Sequence, residues 1–168
     1  MNESAAELAG LQHLIDESVR RASPSLRSSF GLPEQSLSAA QLVRRCAGVF
    51  QVILATVTAS GAPRCAPVGA LFVGGRLYVP TSARSHRARN VAERPALSLS
   101  LSAEDGFALI VHGTGRIMGP SDPGFAAVEE AQFQARGARV SDWGQGVFIA
   151  VEAESLFTYA RDPGSLPK

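Results

Sequence analysis

From Val49 onward the apolar residues recur at every second position, and tight-turn signals interrupt them at short intervals. Phe50 to Thr58 is rich in β-branched residues and ends at Ala59-Ser60-Gly61-Ala62-Pro63, which is turn material. A second strand, Arg64 to Val73, follows, so the pair reads as a hairpin. Gly74-Gly75 turns the chain again into Arg76 to Pro80. Ala96-Leu97-Ser98-Leu99-Ser100-Leu101 alternates leucine with serine, which gives one buried and one polar face. Glu104-Asp105-Gly106 leads to a long strand, Phe107 to Met118, in which Gly113 and Gly115 signal a bulge or a close approach of another group. Gly146 to Glu152 and Leu156 to Tyr159 read as two closing strands. Short strands joined by tight turns must hide their edges, and curling the sheet into a barrel does so.

Helical periodicity occupies the gaps. Leu8, Leu11, Ile15 and Val19 form one stripe over residues 5–21, ahead of the strand pattern. Ala22 to Gln35 is rich in serine and reads as a connection, with Phe30 and Leu32 resting on something apolar. Ser38 and Gln41 make a capping box, Leu37 and Leu42 a hydrophobic staple, and Gly48 a stop, which predicts a short helix. Ser121 to Arg136 is predicted helical, capped by Ser121 or Asp122 and ended by Gly137. The fold class expected is α+β: a six-stranded antiparallel barrel with flanking helices. Residues 1–40 are expected to form a helical extension and residues 41–168 the barrel, together one globular unit.

Sixteen Lys+Arg nearly cancel fifteen Asp+Glu in the 168 residues, leaving a formal net charge of +1. No global field draws such a chain to nucleic acid or anionic lipid. No apolar run approaches the roughly twenty residues that span a bilayer, and Met-Asn-Glu-Ser lacks the features of a signal peptide, so a cytoplasmic location is expected. Cys46 and Cys65 have neither metal-site nor disulfide spacing and are expected to be small buried residues.

Any basic site must therefore be local, and Val79 to Pro95 supplies one. A strand feeds a helix start in which Arg84, Arg87 and Arg89 fall with His86, Thr81, Ser82 and Ser85, and no carboxylate occurs before Glu93. Free N–H groups and the positive dipole end seat a phosphate, and arginine grips phosphate oxygens in a fork. A ligand bearing a phosphate is expected here.

The stretch LATVTASGAPRCAPVGALFVGGRLYVPTSARSHRARNVAERPALSLSL resembles the pyridoxamine 5′-phosphate oxidase-like split β-barrel superfamily of flavin and deazaflavin oxidoreductases. The resemblance rests on the LATV strand, the G-x-P turn, the APV segment, a strand ending in threonine and a basic S-x-[KR]-x-x-N helix start, and covers roughly Cys46 to Met118. It implies a homodimer with flavin mononucleotide (FMN) in the groove between protomers. It also implies that Thr81, Ser82, Ser85 and Arg87 hold the phosphate, with Arg84 and Asn90 beside them, and that Ala66, Pro67 and Val68 lie along the ring system. Arg87 stands where relatives often carry lysine, which keeps the charge. Gly69 and Ala70 replace bulkier residues and imply room over the ring. The closing stretch SLFTYARDPGSLPK has no Arg-Leu-His cluster of the kind that holds pyridoxal phosphate, so the resemblance does not carry vitamin B6 oxidase activity.

The expected function is an FMN-dependent oxidoreductase that moves hydride between a nicotinamide or small organic substrate and the flavin. The cofactor carries the chemistry, which suits a chain with no triad, acid pair or metal cluster in its sequence. The alternatives are a reductase using the deazaflavin F420, with Arg84, Arg89 and Arg94 along its longer tail, and a non-catalytic flavin or haem binder with His13, His86 or His112 as iron ligand. His112 is expected to be a packed or hydrogen-bonded strand residue, His86 to lie nearer the anion than His13, and Trp143 to serve packing.

Overall fold

The computed structural model describes residues 3–166. Six antiparallel strands close into a barrel: β1 (Val49–Val57), β2 (Pro63–Val73), β3 (Arg76–Ser82), β4 (Ala96–Ser102), β5 (Ala108–Met118) and β6 (Gly146–Tyr159), in the spatial order β1-β2-β3-β6-β5-β4. Pairing of β1 with β4 closes the ring, while β2 meets β3 only over Leu71 to Val73, so the barrel is split between the first part of β2 and the end of β3. The helices are α1 (Ala5–Arg21), α2 (Pro24–Phe30), α3 (Ala39–Arg45), α4 (His86–Glu93) and α5 (Phe125–Arg136).

Alternation along the strands sorts the core into two. Leu54, Val79, Leu99, Leu109, Val111 and Ile149 belong to the main core that fills the barrel. Phe148, next to Ile149, points the other way and joins Leu71, Met118, Phe125, Val128 and Val140 in a second cluster, where α5 covers the barrel wall. Phe125 and Phe148 meet with ring centroids 5.3 Å apart. Gly146 to Ile149 is buried without interruption because both of its faces are covered.

The Ser38 box forms as the sequence predicts: Ser38 N–H donates to Gln41 Oε1 at 3.0 Å and Gln41 N–H to Ser38 Oγ at 3.3 Å. Four local expectations change. Ala22 to Gln35 contains α2, with Ser23 as its N-cap and Pro24 in the first turn. Helix α5 starts at Phe125, because Asp122 turns its carboxylate to the Gly119 N–H (2.8 Å) and to Arg116 (3.1 Å). Cys65 is exposed, whereas Cys46 is buried, and burial pushes its thiol up to about 12. The two predicted closing strands are one, β6, with a register shift opposite His112 and Gly113.

That irregularity is where the N-terminal helix attaches. Pairing passes from His112–Ser155 to Gly113–Ala153, leaving Glu154 without a partner across the ladder. Arg21 Nη2 donates to the Glu154 carbonyl at 3.2 Å, and the Leu156 N–H donates to Ser18 Oγ at 2.9 Å. Ser18 is almost fully buried and in turn donates to the Leu14 carbonyl at 2.7 Å. Ser18→Ala strips a buried N–H of its acceptor and is expected to lower unfolding free energy by about 1–3 kcal/mol. Urea unfolding followed by circular dichroism measures this; no change in midpoint would mean that α1 contributes little to barrel stability.

Candidate functional site

The site is built where β3 delivers the chain to α4. Thr81, only 2% exposed, ends the inward-facing row of β3. Ser85 caps α4, its Oγ accepting the Ala88 N–H at 3.1 Å. Thr81 Oγ1 and Ser85 Oγ lie 3.0 Å apart, and Arg87 Nη1 donates to Thr81 Oγ1 at 3.0 Å. When Thr81 donates to Ser85, both lone pairs of Ser85 are used and its own proton is left to donate elsewhere. The His86 and Arg87 amides, in the first turn, have no acceptor within the helix. These hydroxyl, amide and guanidinium donors converge without an acidic neighbour, a donor set that fits a phosphate.

Opposite stands the β1–β2 hairpin. Its register sets Thr56 across from Arg64 and Leu54 across from Ala66. Asn90 Nδ2 donates to Thr56 Oγ1 at 3.0 Å and ties α4 to this wall. Between the two lies a groove of about 480 Å³, lined by Leu54, Thr56, Thr58, Arg64, Cys65 and Ala66 on one side and Ser85, His86, Arg87 and Asn90 on the other. That size falls in the range of small-molecule sites, and no carboxylate lines it.

Of the residues singled out in the sequence, Ala66, Ser85, Arg87 and Asn90 line the groove, and Thr81 lies beneath Ser85 and Arg87. Ser82 and Arg84 stand beside it, the Arg84 N–H donating to Ser82 Oγ at 3.2 Å. Val68 is buried in the core, and Pro67 lies exposed opposite Ile53 on the outer face of the barrel. The room expected at Gly69 and Ala70 does not open here: Ala70 is fully buried, and a Cβ at Gly69 would meet Val49 Cγ1 at 3.0 Å. Thr56, Thr58 and Arg64 were not foreseen, although the G-x-P turn fixes the register that brings them in.

The histidines are dispersed. His86 is at the groove, its Nδ1 accepting from Arg89 Nη2 at 3.2 Å; His112 is exposed on β5 with Nδ1 2.8 Å from Ser98 Oγ; His13 is exposed on α1. Trp143 does not pack as expected: it is 48% exposed in a 3-10 turn, two residues before Gln145, whose carbonyl accepts the Ala83 N–H at 2.8 Å.

Residues 41–159 match the family described as pyridoxamine 5′-phosphate oxidase, well over half of the chain. The chain belongs to that family. Among curated proteins none matches it in sequence. Solved structures share the fold at low identity. A conserved hypothetical protein from Mycobacterium tuberculosis is 17% identical with a TM-score of 0.68, over 81% of this chain and 92% of that one. An F420 reductase is 22% identical with a TM-score of 0.54, over 66% and 91%. A haem-binding protein from Mycobacterium smegmatis is 20% identical with a TM-score of 0.55, over 72% and 56%. Family membership and fold agree with the split-barrel resemblance of the sequence. No helix among the described residues is long and apolar enough to cross a membrane.

Proposed function

We propose that the protein is an oxidoreductase that binds a flavin-type cofactor, FMN or the deazaflavin F420, with the cofactor phosphate at the start of α4. The observation that carries this reading is the linked set Thr81, Ser85 and Arg87 facing a groove with no carboxylate. Thr81 orients the Arg87 guanidinium, Ser85 offers its hydroxyl, and the first-turn amides complete the seat. Asn90 and Thr56 hold the opposite wall at a fixed distance, and Leu54 and Ala66 give it an apolar surface suited to a planar ring. When bound, the cofactor supplies hydride chemistry, and the residues around it bind and orient it. The F420 reductase and the haem-binding protein on the same fold make F420 and haem the occupants to test beside FMN.

Titration of the purified protein with FMN, F420 and haemin, followed by absorbance and quenching of flavin fluorescence, decides among them. Saturable FMN or F420 binding supports the reading; a Soret band without either replaces it with haem binding; binding of none sinks it.

We infer further that the functional unit is a homodimer. The outer face of β1, β2 and β4 carries Ile53, 43% exposed, with Ala55, Cys65, Pro67, Ser98 and Ser100 around it and no charged side chain among them. An uncharged patch rimmed by small residues suits a self-complementary contact. Ile53→Glu is expected to convert a dimer into a monomer in analytical ultracentrifugation and to weaken FMN binding. A wild-type monomer at micromolar concentration that still binds cofactor would contradict the shared groove.

A further inference from the structure

A second cavity lies at the far end of β2 from the α4 groove. It measures about 600 Å³, within the range of small-molecule sites, and shares no lining residue with the groove. The first turns of α1 form one wall, the β2–β3 turn a second and the middle of β6 a third. Leu11, Leu77, Val151 and Leu156, all buried in the main core, make the floor, and the half-buried Phe72 stands beside them.

The turn fits beneath α1 because it is made of two glycines. Gly74 and Gly75 have φ of 61° and 70°, and a Cβ on them would meet Glu7 Oε1 at 2.8 Å and the Glu7 carbonyl oxygen at 2.9 Å. Gly10, one turn further along α1, differs: a Cβ there would meet nothing within 4 Å. Glycine inside a helix weakens it relative to alanine, and no close approach requires glycine at this position. Its missing side chain leaves open space at the cavity.

Charge is divided across the mouth. Arg76 and Glu152 sit one register step beyond the Leu77–Val151 pair, on neighbouring antiparallel strands and on the face opposite to those core residues. Opposite charges so placed ordinarily pair across the strands. Here both line the cavity, both are exposed, and the ion pairs among the described residues include neither. The other carboxylate, Glu7, is occupied in its own helix. Its Oε2 accepts the Ser4 N–H at 2.7 Å and the Ser4 hydroxyl at 2.8 Å, and these bonds hold its carboxyl below the usual range. An apolar floor with a guanidinium and a carboxylate side by side at the mouth complements a molecule that has an apolar body and both charges at one end.

We propose that this cavity is a second binding site, for a small zwitterion with a large apolar side chain, the chemistry of an apolar α-amino acid. Arg76 takes the carboxylate, Glu152 takes the ammonium, and the side chain lies on the leucine floor against Phe72. The site is independent of what occupies the α4 groove.

The test is an NMR titration of the isotope-labelled full-length protein with L-phenylalanine, with phenethylamine, which lacks the carboxylate, and with hydrocinnamate, which lacks the ammonium. Phenylalanine is expected to shift the amides of Gly10, Gly74 and Gly75 saturably and to leave those of Ser85 and Arg87 in place. Each analogue is expected to bind at least about three-fold more weakly, since partly exposed charge contacts are individually modest. Arg76→Ala is expected to remove the advantage of phenylalanine over phenethylamine, and Glu152→Gln its advantage over hydrocinnamate. Gly10→Leu adds bulk from an exposed helical position and is expected to abolish binding without lowering the melting temperature. The absence of any shift at about 10 mM phenylalanine overturns the site. So do shifts at Ser85 and Arg87 instead, equal affinity for all three probes, or undiminished binding to Gly10→Leu.

Discussion

Arg87→Ala is expected to weaken FMN binding by roughly ten- to over a hundred-fold, the equivalent of about 1.5–3 kcal/mol for one charge-assisted hydrogen bond. The structure makes this a demanding test, because Arg87 is already committed before any ligand arrives: its Nη1 donates to Thr81 Oγ1 at 3.0 Å. That bond fixes the guanidinium near the Ser85 hydroxyl and the first-turn amides, so little side-chain freedom remains to be lost on binding. Arg87→Lys keeps the charge and gives up the fork, and is expected to lose less than alanine. Thr81→Val separates positioning from charge: the guanidinium stays but its anchor goes, and affinity is expected to fall less than in Arg87→Ala. Isothermal titration calorimetry with FMN reads all three. Unchanged affinity in Arg87→Ala would remove this residue from the phosphate seat.

What the sequence disclosed, and what it hid, follows from how far apart the interacting residues lie. The Ser38–Gln41 box was legible because every atom in it comes from one helical turn. The Thr81, Ser85 and Arg87 cluster was legible for the same reason: the three are successive punctuation marks of one strand-to-helix connection. The other wall was not, because Thr56 and Arg64 reach the groove only through the register of a hairpin. Gly113 and Gly115 were correctly suspect, one at a bulge and one under a helix, but their partners could not be named. The stretch Ala153 to Ser155 reads as a break between strands. In the fold it continues as one strand, because Arg21 and Ser18 of α1 take up the Glu154 carbonyl and the Leu156 N–H, and no local pattern announces a bond between residues so distant in the chain. Ser121 and Asp122 look like caps, yet the helix waits for Gly124, whose left-handed φ of 86° turns the chain into α5.

Gly115→Ala is expected to damage the site from beneath, without touching any residue in it. A Cβ at Gly115 would sit 2.6 Å from Leu97 Cδ2, 2.8 Å from Ile149 Cγ2 and 2.9 Å from Val91 Cγ1. All three neighbours are buried, so none can swing into solvent, and overpacking of this kind costs about 1–3 kcal/mol. Of the three, Leu97 and Ile149 belong to the barrel, while Val91 belongs to α4 and is the element freest to yield. The Gly115 N–H also donates to the Pro95 carbonyl at 2.8 Å, so the end of the α4 connection is tied to the same point. Relief of the clash therefore lifts α4, which carries Ser85, Arg87 and Asn90, away from β1 and strains the Asn90–Thr56 bond that sets the width of the groove. The expected result is a lower melting temperature together with weaker FMN binding, and a second substitution, Val91→Ala, that restores part of both by making room for the added methyl. Loss of stability with full retention of affinity would show that α4 keeps its place when its packing is disturbed, and that the width of the groove is set by the polar ties of Asn90 and Thr81 alone.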